Sequence, residues 1–360
     1  MIPVMDKSEA DPVLVDAVTR IFSELCTPDV INRAEEGEPQ GQLWSKLCET
    51  AVPWAWVPED SGGAGLSVVD CGPVLRLAGK YAVPAPVCET LIAGWLLARA
   101  GCDVPMTSLT VAPVIRTGTL SLTRDGRLDG EVYRVPYAAG VEQIIVIVPC
   151  DNDCAIVSVP GAEVQLSHRT NLAGEPLNDI RFDNLAVTII SRCDHPGLAE
   201  ALHRVGALVR SFQMAGALER ILDMTVDYAL EREQFGRPIA RFQAIQHNVA
   251  VLAEEAAAAL CAADNGLLHW ARFGIDDMHT EFAIAAAKVR CGEAAARGAK
   301  IAHQIHGAIG YAREYHLHQF TRRLWSWTDD FGSVPEWASL LGHLVCREGS
   351  KALWPTITAM

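Results

Sequence analysis

The amino-acid sequence predicts an α+β protein in three parts: a helical region, a small β region and a closing bundle of long helices. Three observations carry this reading. Apolar residues recur at helical spacing through the first hundred or so positions. Short β-rich runs, separated by Gly, Pro, Asp and Asn, occupy the middle. Long alanine-rich stretches joined by short connections return at the end, and such helices pack as an antiparallel bundle. We place the parts at residues 1–106, 107–195 and 196–360 of a 360-residue chain, which is long enough for two or three packed layers.

In chain order, Val13, Ala17, Ile21 and Leu25 mark a first helix and its expected apolar face. The segment Val57 to Gly65 holds a Pro and three glycines, so it breaks the helical pattern. Helix resumes through Val74, Leu75, Ala78 and on to Leu96. Strands are expected at Leu109–Ile115, Gln143–Val148 and Ala155–Val159, with a hairpin turn at Thr123-Arg124-Asp125-Gly126-Arg127 signalled by Asp-Gly. No helix-length segment separates these strands, so no parallel βαβ unit is expected. No Gly-x-Gly-x-x-Gly lies between a strand and a helix, which removes a dinucleotide fold of that type. Long helices are then expected from Pro196 to near Gly236, from Ala240 to Trp270 and from Met278 to His306, with two shorter ones following.

Half of the residues are hydrophobic and about a fifth charged, with a formal net charge of -14. That balance fits a globular protein and argues against a nucleic-acid surface, which needs a basic face. No apolar run reaches the roughly 18 residues that span a bilayer. Residues Met1 to Arg20 lack a basic leader segment, so the expected location is the cytoplasm, with no membrane partner. The eleven cysteines are scattered, and Cys150 and Cys154 have no second pair or flanking His, so zinc is not expected. Buried, reduced thiols are.

The segment Arg232-Glu233-Gln234-Phe235-Gly236-Arg237-Pro238-Ile239 followed by Phe242-Gln243 and Gln246 carries the most information. Physically it reads as a helix end, a Gly cap, a Pro and the start of the next helix. Arg232 there meets an anion with its guanidinium, or else is held between Glu231 and Glu233. Two further stretches stand out: Gln304-Ile305-His306-Gly307-Ala308-Ile309-Gly310-Tyr311, and Pro58-Glu59-Asp60-Ser61-Gly62-Gly63.

Taken together, in this order and spacing, the three stretches resemble the acyl-CoA dehydrogenase family, and the resemblance covers nearly the whole chain. It implies that family's three-domain fold and FAD as cofactor. By position, Arg232, Glu233, Gln234 and Phe235 correspond to contacts with FAD pyrophosphate across a subunit interface. Phe242 and Gln243 correspond to a further FAD contact. Gln304, Ile305, His306, Gly307 and Ala308, with Gly310, stand where the family holds the ADP part, Ala308 replacing the second Gly of the pattern. Ser333 stands at a further FAD position and Gly332 at a substrate position.

The departures matter as much. The family's Glu that removes the α-proton of the thioester falls at Phe331, and its alternative position falls near Gly206. Neither accepts a proton. Asp329 and Asp330 lie beside the first of these positions. The family's flavin-ring motifs in the middle region are absent, Tyr133-Arg134-Val135-Pro136-Tyr137-Ala138 standing there instead. This combination, with His316, His318, Arg322 and Arg323, is similar to the smaller, base-lacking subunits of heteromeric bacterial acyl-CoA dehydrogenases, which often act on bulky steroid side-chain thioesters. His316 and His318 read equally as ordinary surface histidines. The resemblance implies FAD-dependent α,β-dehydrogenation of an acyl-CoA in a heterotetramer whose homologous partner supplies the Glu, or in a homo-oligomer, with an electron-transfer flavoprotein as acceptor. Two alternatives stay open: a self-sufficient flavoenzyme using Asp329 or Asp330, and a non-catalytic structural subunit.

Overall fold

The computed structural model describes residues 11–112, 120–150, 153–193 and 197–358. They form two compact units: residues 11–28, 67–83 and 207–358, and the described residues of 29–66 and 84–206.

The first unit is helical. It contains α1 (Pro12–Leu25), α4 (Gly72–Lys80), most of α6 (Leu198–Glu231), α7 (Gln243–Phe273), α8 (Met278–His306), α9 (Leu317–Trp327), α10 (Val334–Glu348) and α11 (Ser350–Thr358). The long helices are those the sequence predicts, but three short ones follow α8 where two are expected. Local signals explain the boundaries. Asp277 caps α8 by accepting from His279 N, and α7 stops at Gly274 with φ 86°. Ser333 and Glu336 form a reciprocal capping box at the start of α10. In α1 the buried line is Val18 and Phe22, whereas Val13 is 74% exposed. Phe22 meets the ring of Tyr81 at 6.2 Å, and this turns the buried face one residue, about 100°, from the expected stripe.

Helix α6 is buried on every side from Val205 to Leu218, the mark of a central helix. Its approach to α4 is backbone to backbone. A Cβ added at Gly79 would lie 1.9 Å from Gln213 O, and one at Gly216 would lie 1.9 Å from Arg76 O. Helices α7 and α8 are joined across their faces by Glu255, a buried carboxylate that accepts from Arg290 and, at 2.7 Å, from Arg297.

The second unit holds α2 (Pro28–Glu35), α3 (Gly41–Glu49), α5 (Val87–Arg99) and the β region. β1 (Leu109–Val111), β4 (Gln143–Cys150), β5 (Asp153–Pro160) and β8 (Thr188–Cys193) form one sheet in the order β1-β4-β5-β8. β2 (Ser121–Leu122), β3 (Arg127–Pro136), β7 (Leu177–Ala186) and β6 (Gln165–Ser167) form the other, in the order β2-β3-β7-β6. Alternate residues of both, among them Val132, Ile144, Val146, Val157, Ile180 and Phe182, fill one core between the sheets. The expected turn joins β2 to β3, with Thr123 N donating to Arg127 O at 2.9 Å and Gly126 at φ 81°. β1 and β4 pair in parallel, without forming the βαβ unit that the sequence argues against. The crossover between them is made by strands of the second sheet rather than by a helix. The end of the first expected strand, residues 113–115, lies outside the described residues.

Among the described residues no helix is long and apolar enough to cross a membrane. The thiols are less uniformly buried than expected: Cys26, Cys71, Cys88 and Cys291 are buried, while Cys261 and Cys346 are exposed. Burial drives the Cys26 and Cys291 thiols up to about 12 and keeps them protonated.

The close approach of α4 and α6 yields a stability test. Gly216→Ala forces a methyl into backbone and is expected to lower unfolding free energy by about 3 kcal/mol. Gly342→Ala, in an exposed turn of α10 with open space around it, is expected to be neutral or to stabilise by up to about 1 kcal/mol. Urea denaturation of both variants measures the contrast.

Candidate functional site

The corner after α6 is more structured than its sequence suggests. Arg232 N donates to Tyr228 O at 2.9 Å and closes the helix. β9 (Glu233–Gln234) then pairs antiparallel with β10 (Arg237–Pro238). The intervening Phe235 and Gly236 have φ of 53° and 77°. Two positive φ values in succession define a type I′ turn, so Gly236 serves a hairpin rather than capping a helix. Ile239 N donates back to Arg232 O at 2.8 Å. Phe235, 93% exposed, meets the ring of Phe242 edge-on, and the Arg237 guanidinium lies 4.3 Å from the same ring. These contacts fix the hairpin against the start of α7. Arg232, Glu233, Gln234 and Gln243 are all exposed. Among the described residues Arg232 forms no ion pair, so the alternative in which Glu231 and Glu233 hold it is not what the structure contains.

The end of α8 lies beside this corner. His306 stacks on Tyr228 with ring centroids 4.5 Å apart, and Tyr228 is one turn before Arg232. Gly307 ends α8 with φ 65° and ψ -142°, and a Cβ there would meet nothing within 4 Å. Gln304, Gly307 and Ala308 are exposed. Ile305 and His306 are buried, so a ligand meets their backbone and not their side chains. Gly310 is a packing position: a Cβ would sit 3.0 Å from Leu317 and 3.1 Å from His303 Nδ1. An open glycine turn, an uncommitted guanidinium and exposed carboxamides within one corner fit the diphosphate of a dinucleotide such as FAD. Arg232, Gln234, Gln243, Gln304 and the backbone of Gly307 and Ala308 are the groups that would hold it.

The positions beside the expected base form a different cluster. Phe331 is buried with φ 51°, and its carbonyl accepts from Trp337 Nε1 at 2.9 Å. Asp330 is 7% exposed and accepts from Arg210 Nε at 3.1 Å. Arg210 in turn donates to Gln213 Oε1 at 2.5 Å and lies 5.9 Å from the Phe331 ring centroid. Lys288, fully buried, donates to Trp327 O at 2.7 Å. Burial pushes its ammonium down to about 7, against the pull of Asp330 in the other direction. Asp330 is thus tied into a buried ion pair and Asp329 is exposed to solvent, a poor setting for either as a base. Gly206 is buried and has no side chain to act. The Ser333 hydroxyl donates to Glu336 at 2.8 Å within the capping box, so it is already engaged. Gly332 takes φ 95° beside it. His316 and His318 are half-buried rather than surface residues, and His318 Nδ1 lies 3.1 Å from Arg322.

Sequence reasoning missed Arg210, Gln213, Lys288, Tyr228 and His303. The signal for one of them was present: Arg210 is a single charge inside an otherwise apolar helical stretch, where an unpaired charge is costly.

The family model described as the acyl-CoA dehydrogenase C-terminal domain matches residues 199–326. Acyl-CoA dehydrogenase IpdE2 of Mycolicibacterium smegmatis is 28% identical over 321 residues, covering 88% of this chain and 92% of the relative. Among solved structures, the ChsE4–ChsE5 complex of Mycobacterium tuberculosis matches with TM-score 0.85 at 23% identity, over 93% of this chain and 97% of that one. A variant of the Tcur3481–Tcur3483 steroid ACAD matches with TM-score 0.83 at 23% identity, over 93% and 97%.

Lys288 gives a pH signature. Its folded-state value lies below the unfolded one, so between about 7 and 10.5 the unfolded chain binds the extra proton and stability rises with pH. Relative to Lys288→Met, which cannot titrate, the wild-type chain is expected to gain unfolding free energy from pH 7 to 10. Paired denaturant titrations across that range measure it.

Proposed function

We propose that the chain is a member of the acyl-CoA dehydrogenase family, whose members are FAD-dependent oxidoreductases, and that it is the FAD-anchoring subunit of a heteromeric member whose partner supplies the base. One observation carries this reading: the cofactor corner is intact and open, while both base positions are chemically inert. Phe331 and Gly206 accept no proton, and Asp330 is committed to Arg210. FAD, when bound, supplies the acceptor for the β-hydride of the acyl thioester as the α-proton leaves.

The chain's own residues do the rest. Arg232 places a cation at the edge of the hairpin, where it meets pyrophosphate oxygens. Gln234, Gln243 and Gln304 offer amide donors, and the Gly307 turn lets a diphosphate approach the backbone closely. The proton is taken by a carboxylate of the partner subunit. A bulky steroid side-chain CoA thioester is the substrate class that the likeness to the steroid ACAD supports, and an electron-transfer flavoprotein is the acceptor that the family resemblance supports.

The geometry along α6 supports a shared assembly as well. Arg210 and Arg232 are 22 residues apart on or just past one helix, about 33 Å by helical rise. The cofactor corner and the inert base loop of one chain therefore belong to different sites.

Co-expression with candidate base-bearing subunits is expected to give a yellow, stoichiometric, active complex, and the chain alone is expected to be inactive. Arg232→Ala removes a charge-assisted contact worth about 1.5–3 kcal/mol, so flavin affinity of the complex is expected to fall roughly tenfold to a hundredfold. Asp330→Asn is expected to retain full turnover per bound flavin. Full activity of the purified chain by itself would sink the proposal; a colourless complex would make the chain a structural subunit.

A further inference from the structure

We propose that His303 and His306 are positioning residues for the glycine turn after α8, acting through Tyr311 and Tyr315; this rests on the reading of that turn as a cofactor contact. Neither histidine reaches the ligand side. His303 is 6% and His306 is 3% exposed. Three residues apart on the last turns of α8, they lie on one helical face.

Each histidine clips one tyrosine of the segment that follows. The His303 ring lies between Tyr311, at 4.0 Å and 13°, and Trp325, at 5.7 Å and 18°. Tyr311 is itself 66% exposed, so this stack is what orders its ring. His303 Nε2 meets Thr321 Oγ1 at 2.9 Å on α9. His306 Nδ1 lies 2.8 Å from Ala302 O and Nε2 lies 3.0 Å from the Tyr315 hydroxyl. Because Ala302 O can only accept, the proton of neutral His306 sits on Nδ1 and Tyr315 donates to Nε2. Tyr228 backs that ring from α6.

Between the clips, Gly307, Ala308 and Ile309 are exposed. Gly310 lies directly on both histidines, a Cβ there coming within 3.1 Å of His303 Nδ1 and of His306 Cβ. The turn's shape is therefore set from beneath, by rings that the ligand never touches.

The clasp is built for neutral imidazoles. Among the described residues His303 Nδ1 is buried with no hydrogen-bond partner. A second proton there would create an unsatisfied buried donor. The groups that bear on it are Thr321, Trp325 and His318 of α9, Tyr311 of the turn and His306 of α8. Asp227, Glu231 and Arg220 of α6 bear on Tyr315. Burial lowers both histidines from their ordinary value of 6.5, His303 further through His306 and His318. Groups whose folded value is lowered favour the clasp in the neutral form, so the clasp weakens as pH falls below about 6.5.

Hydrogen exchange on the full chain, with its partner where one co-purifies, tests this alongside flavin affinity. His303→Ala removes an aromatic pair, and amides of residues 308–312 are expected to exchange about tenfold faster at pH 7.5, with flavin affinity falling by a similar factor and the amides of α7 unchanged. His303→Phe keeps the stack without the titration. It is expected to retain protection at pH 7.5 and to show a shallower decline than wild type between pH 6.5 and 5, His306 still titrating, after correction for intrinsic exchange. Unchanged exchange in His303→Ala with flavin bound overturns the clasp. Should that variant fail to fold, a pH decline in His303→Phe as steep as wild type overturns it. Flavin absent from the wild-type complex, with the exchange difference intact, overturns the cofactor reading and leaves the clasp.

Discussion

A charged side chain buried halfway along a central helix is the constraint from which the functional half of this protein is organised. Arg210 sits in the stretch of α6 that is buried on all sides, where an unpaired guanidinium would cost several kcal/mol. The chain satisfies it with Asp330 and Gln213. That fixes the segment between α9 and α10, because Asp330 cannot leave without stranding the cation. Lys288 to Trp327 O and Trp337 to Phe331 O hold the same segment from other sides. Phe331 is held at a positive φ, costly for a bulky residue, and persists there because three polar contacts from other elements over-determine the loop.

This arrangement bears on whether position 331 could carry a base. A carboxylate at position 331 would stand beside Arg210, whose centre lies 5.9 Å from the present ring. A nearby cation favours the ionised form and weakens a general base. A carboxylate at 331 would also place two acids, 330 and 331, in competition for one buried arginine. Replacing Phe331 alone therefore does not recreate the chemistry of a base-bearing subunit. The inert position belongs to a buried network that reaches from Arg210 to Trp337.

How much of this the sequence reveals depends on whether the deciding interaction is local. The bounds of α8 follow from an Asp cap, an alanine-rich run and a terminal glycine, all within one segment, and Met278 to His306 is what the structure contains. The Asp-Gly turn at Gly126 is local in the same way. Gly236 reads as a helix cap because Gly before Pro is a common stop. The hairpin emerges only when Arg237 and Pro238 fold back on Gln234 and Glu233. The parallel pairing of β1 with β4 and the turned face of α1 are likewise set by partners distant in sequence. Asp330 shows the limit most clearly: beside Asp329 it reads as a solvated loop charge, and only Arg210, 120 residues earlier, makes it a buried ion pair. His306 sits within a motif and so reads as a ligand contact, yet Tyr228 and Tyr315 turn its ring inward.

One helix thus governs two sites with opposite fates. Near its middle, α6 commits Arg210 to a loop that carries no base. At its end it presents Tyr228 to His306 and Arg232 to solvent, keeping an open corner suited to a dinucleotide. The two positions lie about 33 Å apart by helical rise, too far to serve the same reacting centre. Selection on one need not act on the other. On the proposed reading, a chain that gave up its own base still contributes fully to a flavin whose reaction is completed by the partner. Inertness near the middle and integrity at the end are then properties of the same subunit, held apart by the length of α6.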